Sequence, residues 1–240
     1  MERHIRELVQ VLAGFFDFPD PIWEVGSYLV PGQEDLADLR QLFPGKEYVG
    51  LDMRPGLGVD RIENIEHLNA PDESAGSILC LNTLEHVQDI YAGARELHRV
   101  LRPGGLLVVT TPFEFVIHDY PGDYWRFTPQ ALALLARPFP TRLLGTQGYA
   151  AQPHITFLIA FKEDRRRTLA RQVPELKARL RRGLTHRRPH WDRRLRLTLA
   201  RWLAGDRFFR RYDHFYDIDL WLDDETVSSL PAAGTPDVPP

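Results

Sequence analysis

Apolar side chains at Ile5, Leu8, Val9, Leu12 and Phe16 recur at helical spacing, which predicts an amphipathic helix over residues 2–16. The segment Asp17 to Pro21 holds two prolines, and their fixed φ and missing N–H end that helix. Ile22 to Gly26 is then a short apolar run closed by glycine. Tyr48 to Leu51 is a second run, with Asp52 at its end, and Ser77 to Leu81 is a third. Leu106 to Thr110 is unbroken leucine, valine and threonine, the pattern of a strand covered on both faces. Thr141 to Leu144 and Ile155 to Phe161 predict two further strands. Between them, residues 33–42, about 87–101 and 129–135 read as helices, the second with Ile90, Ala94, Leu97 and Leu101 on one face. Strands that alternate with helices predict an α/β fold with a largely parallel sheet.

The C-terminal part departs from this rhythm. Leu169, Val173, Leu176 and Leu180 share a helical face that Pro174 is expected to break or restart. Leu195, Leu199, Trp202 and Leu203 share another. Charge changes at the same place. Residues 162–211 carry 18 Lys and Arg against 5 Asp and Glu, whereas residues 212–240 carry no Lys or Arg and 7 acids. The expected organisation is a domain over 1–162, a basic helical and aromatic appendage over 163–228, and a Pro, Ala and Ser-rich tail over 229–240 expected to be disordered. No apolar run reaches the roughly 18 residues of a membrane span. Cys80 is the only cysteine, which excludes an internal disulfide and argues against a thiolate metal cluster. No secretory leader is recognisable at the N-terminus, and a cytoplasmic location is the expectation.

Gly26 and Asp52 are the first candidates for chemistry. A glycine after the first strand lets a ligand approach the backbone, and a carboxylate after the second can accept both hydroxyls of a ribose. Each residue alone also fits a plain turn or a helix cap. The glycine fingerprint of dinucleotide sites is absent, because Ser27 and Tyr28 follow Gly26 and the next glycine is Gly32. A pyrophosphate would lack its cradle, whereas a nucleoside ligand without phosphates needs none.

Four segments in order carry a resemblance: Glu24-Val25-Gly26-Ser27, then Asp52, then Asn82-Thr83-Leu84-Glu85-His86-Val87, then Arg99-Val100-Leu101-Arg102-Pro103-Gly104-Gly105. Over roughly residues 20–162 the chain is similar to class I S-adenosylmethionine-dependent methyltransferases of the type-11 group. The resemblance implies a Rossmann-like, doubly wound, seven-stranded and mostly parallel sheet, here with an N-terminal helix and a C-terminal Arg-rich helical appendage. It implies S-adenosylmethionine as cofactor. Glu24, Gly26 and Ser27 would meet its methionine end, Asp52 its ribose, and Met53, Asn64 and Ile65 its adenine, while Asn82 and Thr83 would line the pocket near the sulfonium. The sequence departs from the family where Tyr28 replaces a second glycine and Asn64 replaces an acid.

The stretch from Pro112 to Pro129 follows the strand ending at Thr111 and concentrates a histidine, acids, aromatics and an arginine. Loops at that edge carry function. His118 is the candidate base, with Asp119 or Asp123 to orient it; Tyr124 and Trp125 are candidates to stack on a ring, and Arg126 to hold an acidic group. The same residues also fit a structural lid in which Trp125 and Phe127 pack on the sheet and Arg126 pairs with Asp123. Similar stretches occur in type-11 relatives linked to glycan or secondary-metabolite pathways. The expected reaction is therefore O-methylation of a small molecule or sugar precursor. RNA methylation through the basic tail, and a methyltransferase fold that binds a partner without turnover, are the alternatives. The aromatic and acidic run from Phe208 to Asp224 resembles a docking segment, substrate cap or dimer element more than a nucleic-acid surface. Glu85 and His86 with His118 raise the question of a metal. Some related methyltransferases use Glu-x-x-Glu-His in this way, but Asn82 stands at the first of those positions. A helix-start packing pair is the preferred reading, and no metal is expected.

Overall fold

The computed structural model describes residues 3–118, 122–185, 214–215 and 217–223. Helix α1 (Arg3–Ala13) leads into β1 (Ile22–Val25), α2 (Glu34–Ala37), β2 (Tyr48–Asp52), β3 (Arg61–Ile62) and β4 (Ala75–Leu81). Then follow α3 (Ile90–Val100), β5 (Leu101–Pro112), α4 (Pro129–Leu135), β6 (Thr141–Tyr149), β7 (Gln152–Phe161), α5 (Arg166–Thr185) and β8 (Ile218–Leu222). The eight strands form one sheet in the order β3-β2-β1-β4-β5-β7-β6-β8. β1, β2, β3, β4 and β5 pair in parallel, and β7 is antiparallel to both β5 and β6. The sheet is the Rossmann-like, mostly parallel one expected, with one strand more than the seven anticipated.

Apolar periodicity decides which faces are covered. Ile5, Leu8, Val9 and Leu12 of α1 are buried on one face of the sheet, together with Leu169, Leu176, Leu180 and Leu184 of α5. Leu97 and Val100 of α3 and Leu132 of α4 close the opposite face. Central strands covered on both sides need apolar residues throughout, and all seven residues of β4 are buried. Residues on both sides of the change in charge near Phe161 thus share one core. The extra strand, β8, runs antiparallel along the outer edge of β6, with Gly145 opposite Leu220. Arg142 of β6 bonds Asp223 at 2.7 Å just beyond it.

Several local expectations shift. α5 runs unbroken through Pro174. A mid-helix proline costs about 3 kcal/mol, and burial of a leucine returns about 1.5–3 kcal/mol; four leucines of α5 at 2% exposure or less outweigh it. The helix expected over 33–42 splits into α2 and a 3-10 turn at Arg40–Leu42, with Asp38 extended between them. Arg6 of α1 donates to the carbonyls of Leu36 and Asp38, which holds the split open. β3 has only two residues, too few to show a period. α3 and α4 begin as their sequences dictate, with Asp89 and Thr128 accepting the N–H of Ala92 and Ala131, and Pro129 at the first helical position. Among the described residues no helix is long and apolar enough to cross a membrane.

Candidate functional site

Strand order reverses between β1 and β4, and the crevice beyond the carboxyl ends of such strands is where an open α/β sheet binds ligands. A cavity of about 720 Å³ lies there. Glu24, Gly26, Ser27, Asp52, Met53, Asn64, Ile65, Asn82 and Thr83 all line it, as do His118 and Tyr124. Val30, Gln88 and Phe115 line it too. Val30 and Gln88 could not be singled out in advance, because apolar and amide side chains in loops carry no pattern, whereas Phe115 belongs to the aromatic stretch from Pro112 to Pro129.

The turn after β1 is tightly knitted. Gly26 has φ +85°, and a Cβ on it would fall 2.2 Å from Thr83 Oγ1. Thr83 in turn donates to the Val25 carbonyl at 3.0 Å, so this glycine is required by its neighbour before any ligand arrives. Ser27 is 1% exposed and its Oγ has no hydrogen-bond partner. Tyr28, in place of a second glycine, fits because Gly56 has no side chain: a Cβ there would lie 2.3 Å from the ring. Arg54 stacks over the other part of that ring, 4.5 Å from its centroid.

Asp52 sits at the cavity wall with 9% exposure. Its Oδ2 accepts from Tyr28 N at 3.2 Å and its Oδ1 from Arg54 N at 3.0 Å. A carboxylate has about four acceptor positions, so each oxygen keeps one for a ligand hydroxyl. Met53 is half exposed beside it, and Ile65 is buried across the pocket. Asn64 Oδ1 accepts from Glu66 N at 3.0 Å, which leaves one lone pair. Asn82, with φ +49°, accepts the Thr110 hydroxyl at 3.0 Å. Glu24 is buried and takes the Tyr48 hydroxyl at 2.7 Å. Burial pushes its carboxyl up to about 7, against the smaller lowering effect of that hydrogen bond.

The opposite end of the cavity is built by the loop before α4 folding over the 3-10 turn Leu84–His86. Tyr124 N donates to the Glu85 carbonyl at 2.7 Å, and Trp125 Nε1 to that of Val87 at 2.8 Å. His118 Nδ1 lies 3.1 Å from Asp123 Oδ2. Arg126 grips both oxygens of Asp123, and its guanidinium holds that carboxyl well below the usual range. Of the two acids considered as partners for His118, Asp123 is in place; Asp119 lies outside the described residues. Arg126 is engaged by Asp123 and does not line the cavity. Trp125 is pinned to Val87 and does not line it either, whereas Tyr124, held by Gln88 at 2.8 Å, does. Glu85 is fully buried, neither carboxylate oxygen has a hydrogen-bond partner, and burial pushes it up to about 8. His86 donates from Nδ1 to the Gly122 carbonyl at 2.6 Å, and burial lowers its pKa.

The model of the methyltransferase-domain family matches residues 34–109. A demethylmenaquinone methyltransferase of Streptomyces griseus is 26% identical over 125 residues, covering 49% of this chain and 50% of that protein. The chain thus matches about half the length of that relative. Among solved structures, the methyltransferase of Haloferax volcanii determined with the Trm112 methyltransferase activator superposes with TM-score 0.51 at 14% identity, over 68% of this chain and 90% of that one. The PH0226 protein of Pyrococcus horikoshii gives TM-score 0.50 at 14% identity, over 66% and 89%. These two establish the fold. With the family match over residues 34–109, they support a methyltransferase similar to the class I S-adenosylmethionine-dependent enzymes.

Proposed function

We propose that the protein transfers a methyl group from S-adenosylmethionine to an oxygen of a small molecule or sugar precursor. The residues fit the cofactor: Asp52 has acceptor capacity for two ribose hydroxyls, Met53 and Ile65 offer an apolar slot for a base, and Glu24 in the cavity wall offers a carboxyl that a cationic methionine end would draw into its ionised form. When bound, the cofactor supplies a methyl group already activated by its sulfonium. Displacement at that carbon needs alignment above all. An acceptor hydroxyl of high pKa also needs its proton removed.

The observation that carries the oxygen reading is the pairing of His118 with Asp123. The Val116 carbonyl, 3.3 Å from Nδ1, fixes the hydrogen there, so the neutral ring keeps its Nε2 lone pair to take the acceptor proton, and Asp123, 3.1 Å from Nδ1, stabilises the imidazolium that forms. Arg126 is a positioning residue that holds Asp123. Phe115 and Tyr124 give the acceptor an aromatic wall suited to a sugar face or a planar ring.

The test is calorimetric titration with S-adenosylmethionine and S-adenosylhomocysteine, followed by labelled methyl transfer to a panel of hydroxylated sugars and phenols. Binding of both ligands and an O-methyl product are expected. Absence of binding by either ligand would sink the enzyme reading; products methylated only on nitrogen or carbon would sink the oxygen reading.

A further inference from the structure

We propose that Glu85, His86 and His118 together hold a divalent transition-metal cation at the acceptor end of the cavity. The ligand atoms these residues offer all lie within 4.8 Å of one another, and His86 Nε2 is 3.8 Å from Glu85 Oε1. Bonds of about 2.1 Å to a tetrahedral centre place ligand atoms roughly 3.4 Å apart. Side-chain rotations of about an ångström close the set around an ion of that bond length.

Both imidazoles are prepared for the task. His86 Nδ1 faces the Gly122 carbonyl, which can only accept, so that nitrogen carries the hydrogen and Nε2 keeps its lone pair. His118 Nδ1 faces Asp123 at 3.1 Å and the Val116 carbonyl at 3.3 Å, with the same result. Metal-bound histidines nearly always donate their second ring N–H to a carbonyl or a carboxylate, and here there is one of each. The third ligand is a carboxylate with no exposure and no hydrogen-bond partner on either oxygen. A buried polar group left this way calls for a partner, and a cation supplies it. Two nitrogens and one oxygen select zinc, cobalt, iron or manganese over magnesium and calcium.

The use of the cation rests on the oxygen-acceptor reading, although its binding does not. A hydroxyl held by the cation would lose its proton to water far more readily than a free one, and its oxygen would then take the methyl carbon as the carbon–sulfur bond of the sulfonium breaks and S-adenosylhomocysteine leaves. With the cation in place, His118 serves as ligand and the cation takes over its part in ionising the acceptor.

The experiment is equilibrium dialysis of the chelator-stripped full chain against Co²⁺ or Zn²⁺ alone, with bound metal counted by atomic emission. One equivalent per chain is expected, held against excess Mg²⁺ and weakened at least about tenfold by His118→Ala and by Glu85→Gln. His67→Ala, on an exposed loop outside the cluster, should retain it. No bound equivalent, or one that His118→Ala retains, overturns the proposal. His118 is partly exposed on a loop, so its variant remains decisive if Glu85→Gln fails to fold. Neither cofactor nor acceptor is in the dialysis, so failure of cation binding is distinguishable from failure of methyl transfer.

Discussion

The Tyr48 hydroxyl donates to Glu24 across 2.7 Å, from a partly buried side chain of β2 to a buried one of β1. Glu24 keeps its proton up to about pH 7 in the folded protein and only to about 4.5 in the unfolded chain. Below 4.5 the carboxyl is protonated in both states and its contribution is complete. As pH rises through that value the unfolded chain releases the proton first, and stability is lost until the folded group ionises near 7. The shift corresponds to roughly 3 kcal/mol. Denaturant unfolding from pH 5 to 8 should show the wild type losing stability relative to Glu24→Gln by an amount of that order. Parallel curves would place the titration elsewhere; Glu85, present in both proteins, cancels in the comparison.

Asp52→Ala should weaken binding of S-adenosylmethionine at least about tenfold, near 1.4 kcal/mol, the loss of a charge-assisted hydrogen bond. Titration calorimetry reads this directly. Unchanged affinity would mean that the ribose lies elsewhere.

Gly26→Ala introduces two penalties, a positive φ and a contact with Thr83 Oγ1 at 2.2 Å. The backbone penalty alone is about 1–2 kcal/mol. Adding Thr83→Ala should recover part of the lost stability, since it relieves the contact and leaves the backbone strain. A double variant no more stable than Gly26→Ala would show that the contact is not the cause.

His118→Ala should abolish turnover while cofactor affinity stays within about twofold, because the groups proposed to hold the ribose and the base come from other segments, around Asp52, Met53 and Ile65. Single-turnover assays beside titration separate the two quantities. A fully active variant removes His118 from the chemistry.

Leu180→Ala, at a fully buried position of α5, should cost about 2–5 kcal/mol in unfolding free energy. A loss below about 0.5 kcal/mol, the size of a surface substitution, would show that α5 does not belong to the core that α1 completes.

The sheet was legible because its central strands are apolar on both faces and its helices on one, so β1, β2, β4, β5 and the start of β6 follow from periodicity alone. The outer strands were not. β3 is two residues long, and Ile218–Leu222 alternates apolar with acidic and aromatic residues that read equally well as a docking segment. α5 passed Pro174 because tertiary burial overrides propensity. At the site, the order of motifs pointed to the residues around the crevice, since strand ends fix where backbone and carboxylate must stand. Which acid meets His118 could not be read, because Asp119 and Asp123 differ only by loop geometry. Nor could the company of Glu85: its burial without a partner follows from the fold of the loop over it and not from any spacing.

The pairing of β8 with β6 has a consequence for synthesis. Residue 222 sits opposite residue 143, so the outer edge of β6 stays open until the C-terminal strand has left the ribosome. At about 5–20 residues per second that interval lasts several seconds. During it a nine-residue β-edge, a template for pairing between nascent chains, waits for β8. Slow codons or a truncation between residues 150 and 217 should therefore lower soluble yield well before they touch any residue of the cavity.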